Sequence, residues 1–564
     1  MTSYPPRPRS MDERELGFTP RKPVPWLAPL LLLSTGLRTL GAVLFGAYLD
    51  KRELQNALPD DLHRQPGEGG ELWLDYVADL GDGFDATYSV AYLLAQPELV
   101  VDGRELPRGQ VLVMGGDQVY PTASGDEYEN RMKGPYRAAL PAPPLEGPRP
   151  TLFALPGNHD WYDGLTAFLR LFARRKDGQI GGWRTAQRRS YFAVELPANW
   201  WLFAIDEQFG AYIDDPQLVY FERAAARLGP GDRVVLMVPA PTWVKAARKP
   251  GAYDAVDYFV RTIVAPSGAK VRVMVSGDQH HYARYSGPDR ELITCGGGGA
   301  YLLGTQGLPE RITVPPEGTL TRNASPRQRY ERAAAYPDLA ASRRHAWGVF
   351  GRLPVRNPGF GTMLGIVHTL LMLAMLGATT RVAEAQRLFT IPLVAVLLVT
   401  VLGAVAFAQP PGADSDRHMR HWVLGVLHGA AHVGLAVAGT WVWLQFPFRD
   451  WPWPWPLAVA AVLYGPVIGY LAALLVSLYL LVASGFGVNV NELYAGQGIE
   501  HGKSFLRLHV ARDGTLTIYP IGVDRICRKW VAAPDDPADA PWLRPAEPLA
   551  GRLIEPPVVV APPA

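Results

Sequence analysis

Residues 151–160 read TLFALPGNHD, a short apolar run that gives way at once to Gly157-Asn158-His159-Asp160. A buried strand that stops on small and chemistry-bearing side chains has this pattern. Similar runs lie on both sides of it: LWLDYVAD (72–79), VLVMGGD (111–117), WWLFAID (200–206), RVVLMV (233–238) and VRVMVSGD (271–278). Their lengths and their β-branched and aromatic content fit buried strands rather than helices. Between them, Ala86–Ala95 and Val219–Leu228 carry helical patterns. The alternation predicts an α/β layered fold with its active groups at strand ends.

The residues that stop the strands are the informative ones. Asp79 and Asp82 follow the first run and Asp117 the second; Asn158, His159 and Asp160 follow the third, and Asp278 and His280 a later one. A single aspartate in such a place is a turn former. Carboxylates, an amide oxygen and imidazoles at four strand ends form the donor set of a divalent-metal cluster. Mn, Fe, Zn and Mg are the ions that such oxygen-rich, imidazole-poor sites suit.

Taken together, Asp79-x-Gly81, Gly116-Asp117-x-x-Tyr120, Gly157-Asn158-His159-Asp160 and Gly277-x-x-His280 resemble the calcineurin-like metallophosphoesterase superfamily. The resemblance covers about residues 70–310, and GNHD after a strand is its most specific part. The set ADxGDG, GGDxxYP, GNHD and SGDxHHY is similar to a membrane-attached bacterial branch. The resemblance implies a four-layer β-sandwich flanked by helices and a centre of two metal ions, divalent or Fe-type. It implies that Asp79 binds the first ion, Asp117 bridges both, Asn158 binds the second through its amide oxygen, and His280 completes the first. His159 would stand beside the leaving group as general acid or charge stabiliser, with Asp160 orienting its imidazole. Tyr120 occupies the place of the ferric-binding tyrosine of purple acid phosphatases, in the same superfamily. The plainer reading of Tyr120 is an aromatic packed beside Pro121.

Three departures from that pattern matter. Gly81 stands where the superfamily commonly has histidine, as it does in purple acid phosphatases. The run RVVLMV leads into Pro239-Ala240-Pro241, where a metal-binding histidine normally precedes a proline. Asp278 replaces the first histidine of the usual GHxH. Two imidazoles of the second metal are thus absent. Either Asp278 and Asp82 rebuild an oxygen-rich second site, or that site is weak or empty. Gly296–Gly299 lacks the GK[ST] ending of a P-loop and reads as a glycine turn close to the cluster.

Over the whole chain of 564 residues, 48% are apolar and 19% charged, below the roughly 25% charged of soluble domains. The apolar excess lies in 359–484, which excludes a single soluble enzyme and a disordered or fibrous chain. Four stretches, Gly361–Ala378, Leu388–Ala408, Trp422–Phe446 and Leu457–Ser484, are long and apolar enough to cross a bilayer. Pro466 and Gly469 predict a kinked or tilted fourth helix. Trp441, Trp443, Trp451, Trp453 and Trp455 read as an aromatic belt. Arg38 makes insertion of Trp26–Leu49 marginal, and a helix lying in the interface is the alternative. Basic residues before the first span (Arg343, Arg344, Arg352, Arg356), between the second and third (Arg417, Arg420) and after the fourth (Lys503, Arg507) predict a cytoplasmic location for both flanks. A net charge of +2 gives no reason to expect nucleic acid, and Cys295 and Cys527 cannot frame a disulfide scaffold.

The expected organisation is an N-terminal tail with an interfacial or inserted apolar helix (1–69), a metallophosphoesterase domain (70–310) and an Arg-rich juxtamembrane linker (311–358). Four transmembrane helices (359–484) follow, then a small region with a β-hairpin (485–531) turning at Asp513-Gly514, and a Pro/Ala-rich disordered tail (532–564). His368, and His428 with His432 at i,i+4, read as polar contacts between helices or as a haem or metal site. The favoured function is a membrane-anchored, metal-dependent phosphoesterase. It would act on a phosphomonoester or phosphodiester near the bilayer, as a multi-pass protein of the cell membrane. The alternative is a non-catalytic sensor or scaffold with a degenerate site, motivated by the missing imidazoles.

Overall fold

A computed structural model describes residues 7–32, 34, 55, 58, 62–173, 178–207, 212–319, 321–379, 383–409 and 419–562. Most of Trp26–Leu49 lies outside the described residues. The chain forms two compact units, one of residues 1–24, 41–339 and 500–564, the other of 25–40 and 340–499.

Two large sheets build the first unit. In one, the strands run in the order His63–Arg64, Phe192–Glu195, Trp200–Ala204, Arg233–Val238, Lys270–Ser276, Glu291–Cys295, Tyr282–Ser286, Gln328–Tyr336 and Arg311–Val314. In the other, Leu516–Val523, Lys503–Val510, Leu72–Val77, Val111–Met114, Thr151–Ala154 and Trp183–Thr185 lie side by side. The strands from Leu72 to Thr185 pair in parallel, and the segments from Lys503 onward add antiparallel. Alternate residues divide between the two faces, as a period of two requires. Leu74, Tyr76, Val113 and Phe153 meet Leu202, Val235, Val273 and Ile293 of the facing sheet. Val77, Leu112 and Met114 pack outward on the helices Phe84–Ala95 and Gly134–Ala139. Phe203, Leu236 and Met274 do the same on Asp215–Ala225 and Asp254–Phe259. The unit therefore has four layers, with helices on both sheets. Parallel strands covered on both faces read as continuous apolar runs, which is why the sequence pattern was legible.

Two expectations about the flanks need correction. Residues 311–336, read as the start of a linker, carry the last two strands at one side of the first sheet, with Ile312, Val314 and Tyr330 buried. The hairpin expected at 503–523 is present, and its strands join the second sheet beside Leu72–Val77. Residues 532–564, read as disordered, carry the strands Leu543–Pro545, Arg552–Leu553 and Val558–Val560, with Trp542, Leu543, Val558 and Val560 buried. Proline lacks a donor but is tolerated at sheet edges, and the composition of this tail hid its periodic apolar residues. The N-terminal residues also join this unit: Phe18 is buried in its core and Phe84 N–H donates to Arg21 O at 2.8 Å.

In the second unit, four described helices are long and apolar enough to cross a membrane: Pro358–Ala378, Leu388–Ala408, Met419–Trp443 and Trp455–Gly485. The last contains a π turn at Ala460–Tyr464, ending two residues before Pro466. A methyl group on Gly469 would lie 2.4 Å from Gly361 O, which marks close backbone contact of two helices through small residues. The three histidines meet: His368 Nε2 lies 3.0 Å from His432 Nδ1, and His432 Nε2 lies 3.1 Å from His428 Nε2. The chain they form is linear, and no metal-holding group of three His, Cys, Asp or Glu is found among the described residues.

Candidate metal centre

Asp79, Asp117 and Asp278 each stand one to three residues past the end of a strand of the sandwich, and each has a left-handed backbone, with φ of 61°, 49° and 68°. Such a conformation is uncommon for a residue with a Cβ and costs on the order of 1 kcal/mol or more. Three of them converging at one end of the sheets is a strained arrangement held by its surroundings. Asp79 N–H donates to Gly116 O and Leu80 N–H to Asp117 O, each at 2.9 Å, which ties the first two ends together.

The side chains meet around the phenol of Tyr120. Its Oη lies 2.9 Å from Asp79 Oδ1, 3.3 Å from Asp117 Oδ2 and 3.1 Å from His280 Nε2. His280 Nε2 is in turn 3.5 Å from Asp79 Oδ1. The other carboxylate oxygens are fixed from behind: Asp278 N–H donates to Asp79 Oδ2 at 3.0 Å and His159 N–H to Asp117 Oδ1 at 2.9 Å. All four side chains are buried. Burial, and the neighbouring carboxylates, raise the Asp79 carboxyl well above its usual range; burial also raises Asp117. Burial and the Lys503 ammonium push His280 down to about 3, which leaves its imidazole neutral.

This donor set fits a cation. Crowded, desolvated carboxylates beside a neutral imidazole are unfavourable alone and are relieved by a positive charge. Ligands bound tetrahedrally at about 2.0–2.2 Å stand roughly 3.3–3.6 Å from each other; the separations of 3.3 and 3.5 Å here lie in that range and those of 2.9 and 3.1 Å are shorter. Asp79, Asp117 and His280 do not by themselves close into a metal-holding group; the phenol oxygen is the atom common to all three. Gly157 allows this approach, since a Cβ there would lie 2.1 Å from Asp117 Oδ1. The glycine run is also at the cluster: a Cβ on Gly296 would meet Asp79 Oδ2 at 2.4 Å.

Other expected residues are elsewhere engaged. The His159 ring packs on Tyr120, with centroids 4.5 Å apart, and its Nδ1 lies 2.7 Å from Pro121 O. That carbonyl, not Asp160, orients the imidazole. Asp160 accepts from Gly157 N–H at 2.8 Å, from Gln118 N–H and from the Tyr128 hydroxyl, so it closes the turn beneath the site. Asn158 donates through Nδ2 to the Tyr162 hydroxyl at 3.2 Å. Asp82 Oδ1 accepts from Val24 N–H at 2.7 Å and so holds the N-terminal segment. Asp278 Oδ2 lies 3.1 Å from Lys245 Nζ.

Sequence reasoning passed over Lys245 and Glu207, and read Lys503 only as a basic residue flanking the fourth span. Lys245 ends the short helix Thr242–Lys245 that follows Pro241, at the strand end where an imidazole was sought. Glu207 extends WWLFAID by one residue; it is buried, and burial raises its carboxyl to about 8. An acid at yet another strand end was the available signal. Lys503 is buried and its ammonium donates to Ala300 O. It comes from a strand more than two hundred residues beyond the motifs, and nothing local marks it.

No known family profile matches the chain, and no curated protein does. Among solved structures, it is similar to GAP50, the anchor in the inner membrane complex of Plasmodium, at 12% identity and a TM-score of 0.30. That match covers 49% of this chain and 93% of the other. A purple acid phosphatase from yellow lupin (Lupinus luteus) seeds matches at 11% identity, 48% of each chain and a TM-score of 0.27. PhoD matches at 12% identity, 41% of this chain, 58% of its own and a TM-score of 0.28. Likeness at these TM-scores carries no weight for function, which has to come from the site.

Proposed function

We propose that the protein is a membrane-anchored, metal-dependent phosphoesterase whose ion is held by Asp79, Asp117, Tyr120 and His280. The observation that carries this reading is the phenol oxygen of Tyr120 within 3.3 Å of two buried carboxylates and an imidazole. An Fe, Mn or Zn ion bound there supplies Lewis acidity toward a phosphoryl oxygen. His159 serves the leaving group. With Nδ1–H held by Pro121 O, its Nε2 is the atom that exchanges a proton with the departing oxygen. Asp160 keeps the turn 158–161 closed, and so keeps His159 N–H on Asp117.

Leu72–Val77 pairs with Lys503–Val510, and these strands flank the four apolar helices in sequence. An even number of crossings is compatible with that pairing and supports the multi-pass reading. Trp26–Leu49 keeps both of its expected readings, interfacial or inserted, since most of it lies outside the described residues. The basic residues before the first span and between the second and third support a cytoplasmic face for the unit in a multi-pass membrane protein, with a phosphate ester near the bilayer as substrate; Lys503 and Arg507 are buried in the sandwich and do not add to that argument.

The test is metal content of detergent-purified protein beside Asp117→Asn, with bis(p-nitrophenyl) phosphate and p-nitrophenyl phosphate as probes. Bound transition metal and hydrolysis, both lost in the variant, support the reading. A wild type that retains no ion after Mn or Fe reconstitution favours the sensor alternative.

A further inference from the structure

The residues present do not fit a second metal ion. Its expected imidazoles are replaced by Pro239-Ala240-Pro241 and by Asp278, and the Asp278 carboxylate already faces an ammonium, Lys245 Nζ, at 3.1 Å. We infer that Lys245 supplies the second positive charge of the centre, which therefore holds one metal ion per chain, and that its ammonium binds a phosphoryl oxygen of the substrate. The inference rests on the phosphoesterase reading and specifies its site.

Three observations support it. Lys245 follows Pro241 at the end of the strand Arg233–Val238, the strand end that lacks its histidine. Its side chain is 44% accessible while that of Asp278 is 18% accessible, so the lysine chain reaches solvent on one side of the pair. A cation there is open to an anionic ligand on one side and anchored on the other. The surroundings also keep it charged. Burial opposes the charge, but Asp278, then Glu207 and Asp117, outweigh it and raise the pKa of the ammonium. A fixed ammonium and one ion together present two cationic groups to a phosphoryl group without a second exchangeable metal. A point charge that needs no reorganisation is an effective stabiliser of developing negative charge.

The experiment loads full-length, detergent-purified protein with Mn(II), counts ions by mass spectrometry and records their paramagnetic resonance. One uncoupled Mn(II) per chain is expected. Lys245→Met should keep that ion while hydrolysis of bis(p-nitrophenyl) phosphate falls about 10²-fold, the scale for loss of one preorganised charge stabiliser. Lys245→Arg should retain most of the rate. Retention of the ion in Lys245→Met also reports that the variant is folded. Two exchange-coupled ions per wild-type chain would overturn the inference, and so would a Lys245→Met variant as fast as wild type. Two ions with hydrolysis leave the phosphoesterase reading standing and remove only the role of Lys245. No ion and no hydrolysis in the wild type remove both.

Discussion

Replacing Arg507 tests how the sandwich is held together beneath the metal centre. Arg507 and Asp75 are register partners on neighbouring strands, Lys503–Val510 and Leu72–Val77. Their side chains form a two-pronged ion pair, Nε to Oδ1 at 2.7 Å and Nη2 to Oδ2 at 3.0 Å. Side-chain accessibility is 0% for Arg507 and 3% for Asp75. Arg507 also donates to Leu106 O at 2.8 Å, while Asp75 Oδ2 accepts from Gly109 N–H at 3.1 Å. Arg507→Met removes the cation and leaves a buried carboxylate without it, which costs about 3–5 kcal/mol when one partner of a buried pair is lost. That corresponds to a fall of roughly 10²–10³-fold or more in the folded-to-unfolded ratio. The double variant Asp75→Leu/Arg507→Met should recover most of the loss, because apolar replacement of a whole buried pair is often neutral or stabilising. Urea unfolding of the full chain in detergent, followed by tryptophan fluorescence, reads all three proteins. A single variant within about 1 kcal/mol of wild type would refute the argument, since that is the value of an exposed pair. So would a double variant no better than the single one.

Four further outcomes are expected. His159→Ala should keep the ion and lower kcat by about 10²–10⁴-fold, the range for general acid catalysis; metal analysis beside steady-state kinetics checks it. Gly157→Ala places a Cβ 2.1 Å from Asp117 Oδ1 and should abolish metal retention. Tyr120→Phe, reconstituted with ferric ion, should lack any visible phenolate-to-iron absorption that the wild type shows. Glu207 has its carboxyl raised from 4.5 to about 8, first by burial. The folded state therefore binds more protons than the unfolded one between those values. Stability should fall through that window as pH rises, by about 1.4 kcal/mol per pH unit from this group, and Glu207→Gln should flatten the decline in a pH series of unfolding curves.

Legibility differed from residue to residue for physical reasons. Asp79, Asp117, Asn158, His159 and His280 were visible because parallel strands covered on both faces are uninterrupted apolar runs, and their ends are abrupt. Tyr120 was visible with two readings, a metal-binding phenol and an aromatic packed beside Pro121. Only the fold brings its hydroxyl between Asp79, Asp117 and His280. Asp160 was assigned to the imidazole because the two residues are adjacent. The turn instead aims its carboxylate at backbone N–H groups and leaves His159 to Pro121 O. Lys245 carries no motif, and its meaning depends on Asp278, thirty-three residues later.

By itself, the sequence determined the layered α/β character, the strand ends that carry the candidate site residues, and four helices apolar enough to span a bilayer. These are local properties, written in periods of two and 3.6 residues and in run length. Tertiary structure alone decided that the C-terminal strands complete the same sheet as Leu72–Val77, that Tyr120 centres the cluster, and that Lys245 faces Asp278. Each of those depends on pairing residues far apart in the chain. Such pairing is selected by burial and by charge satisfaction over the whole unit, and no window of sequence contains it.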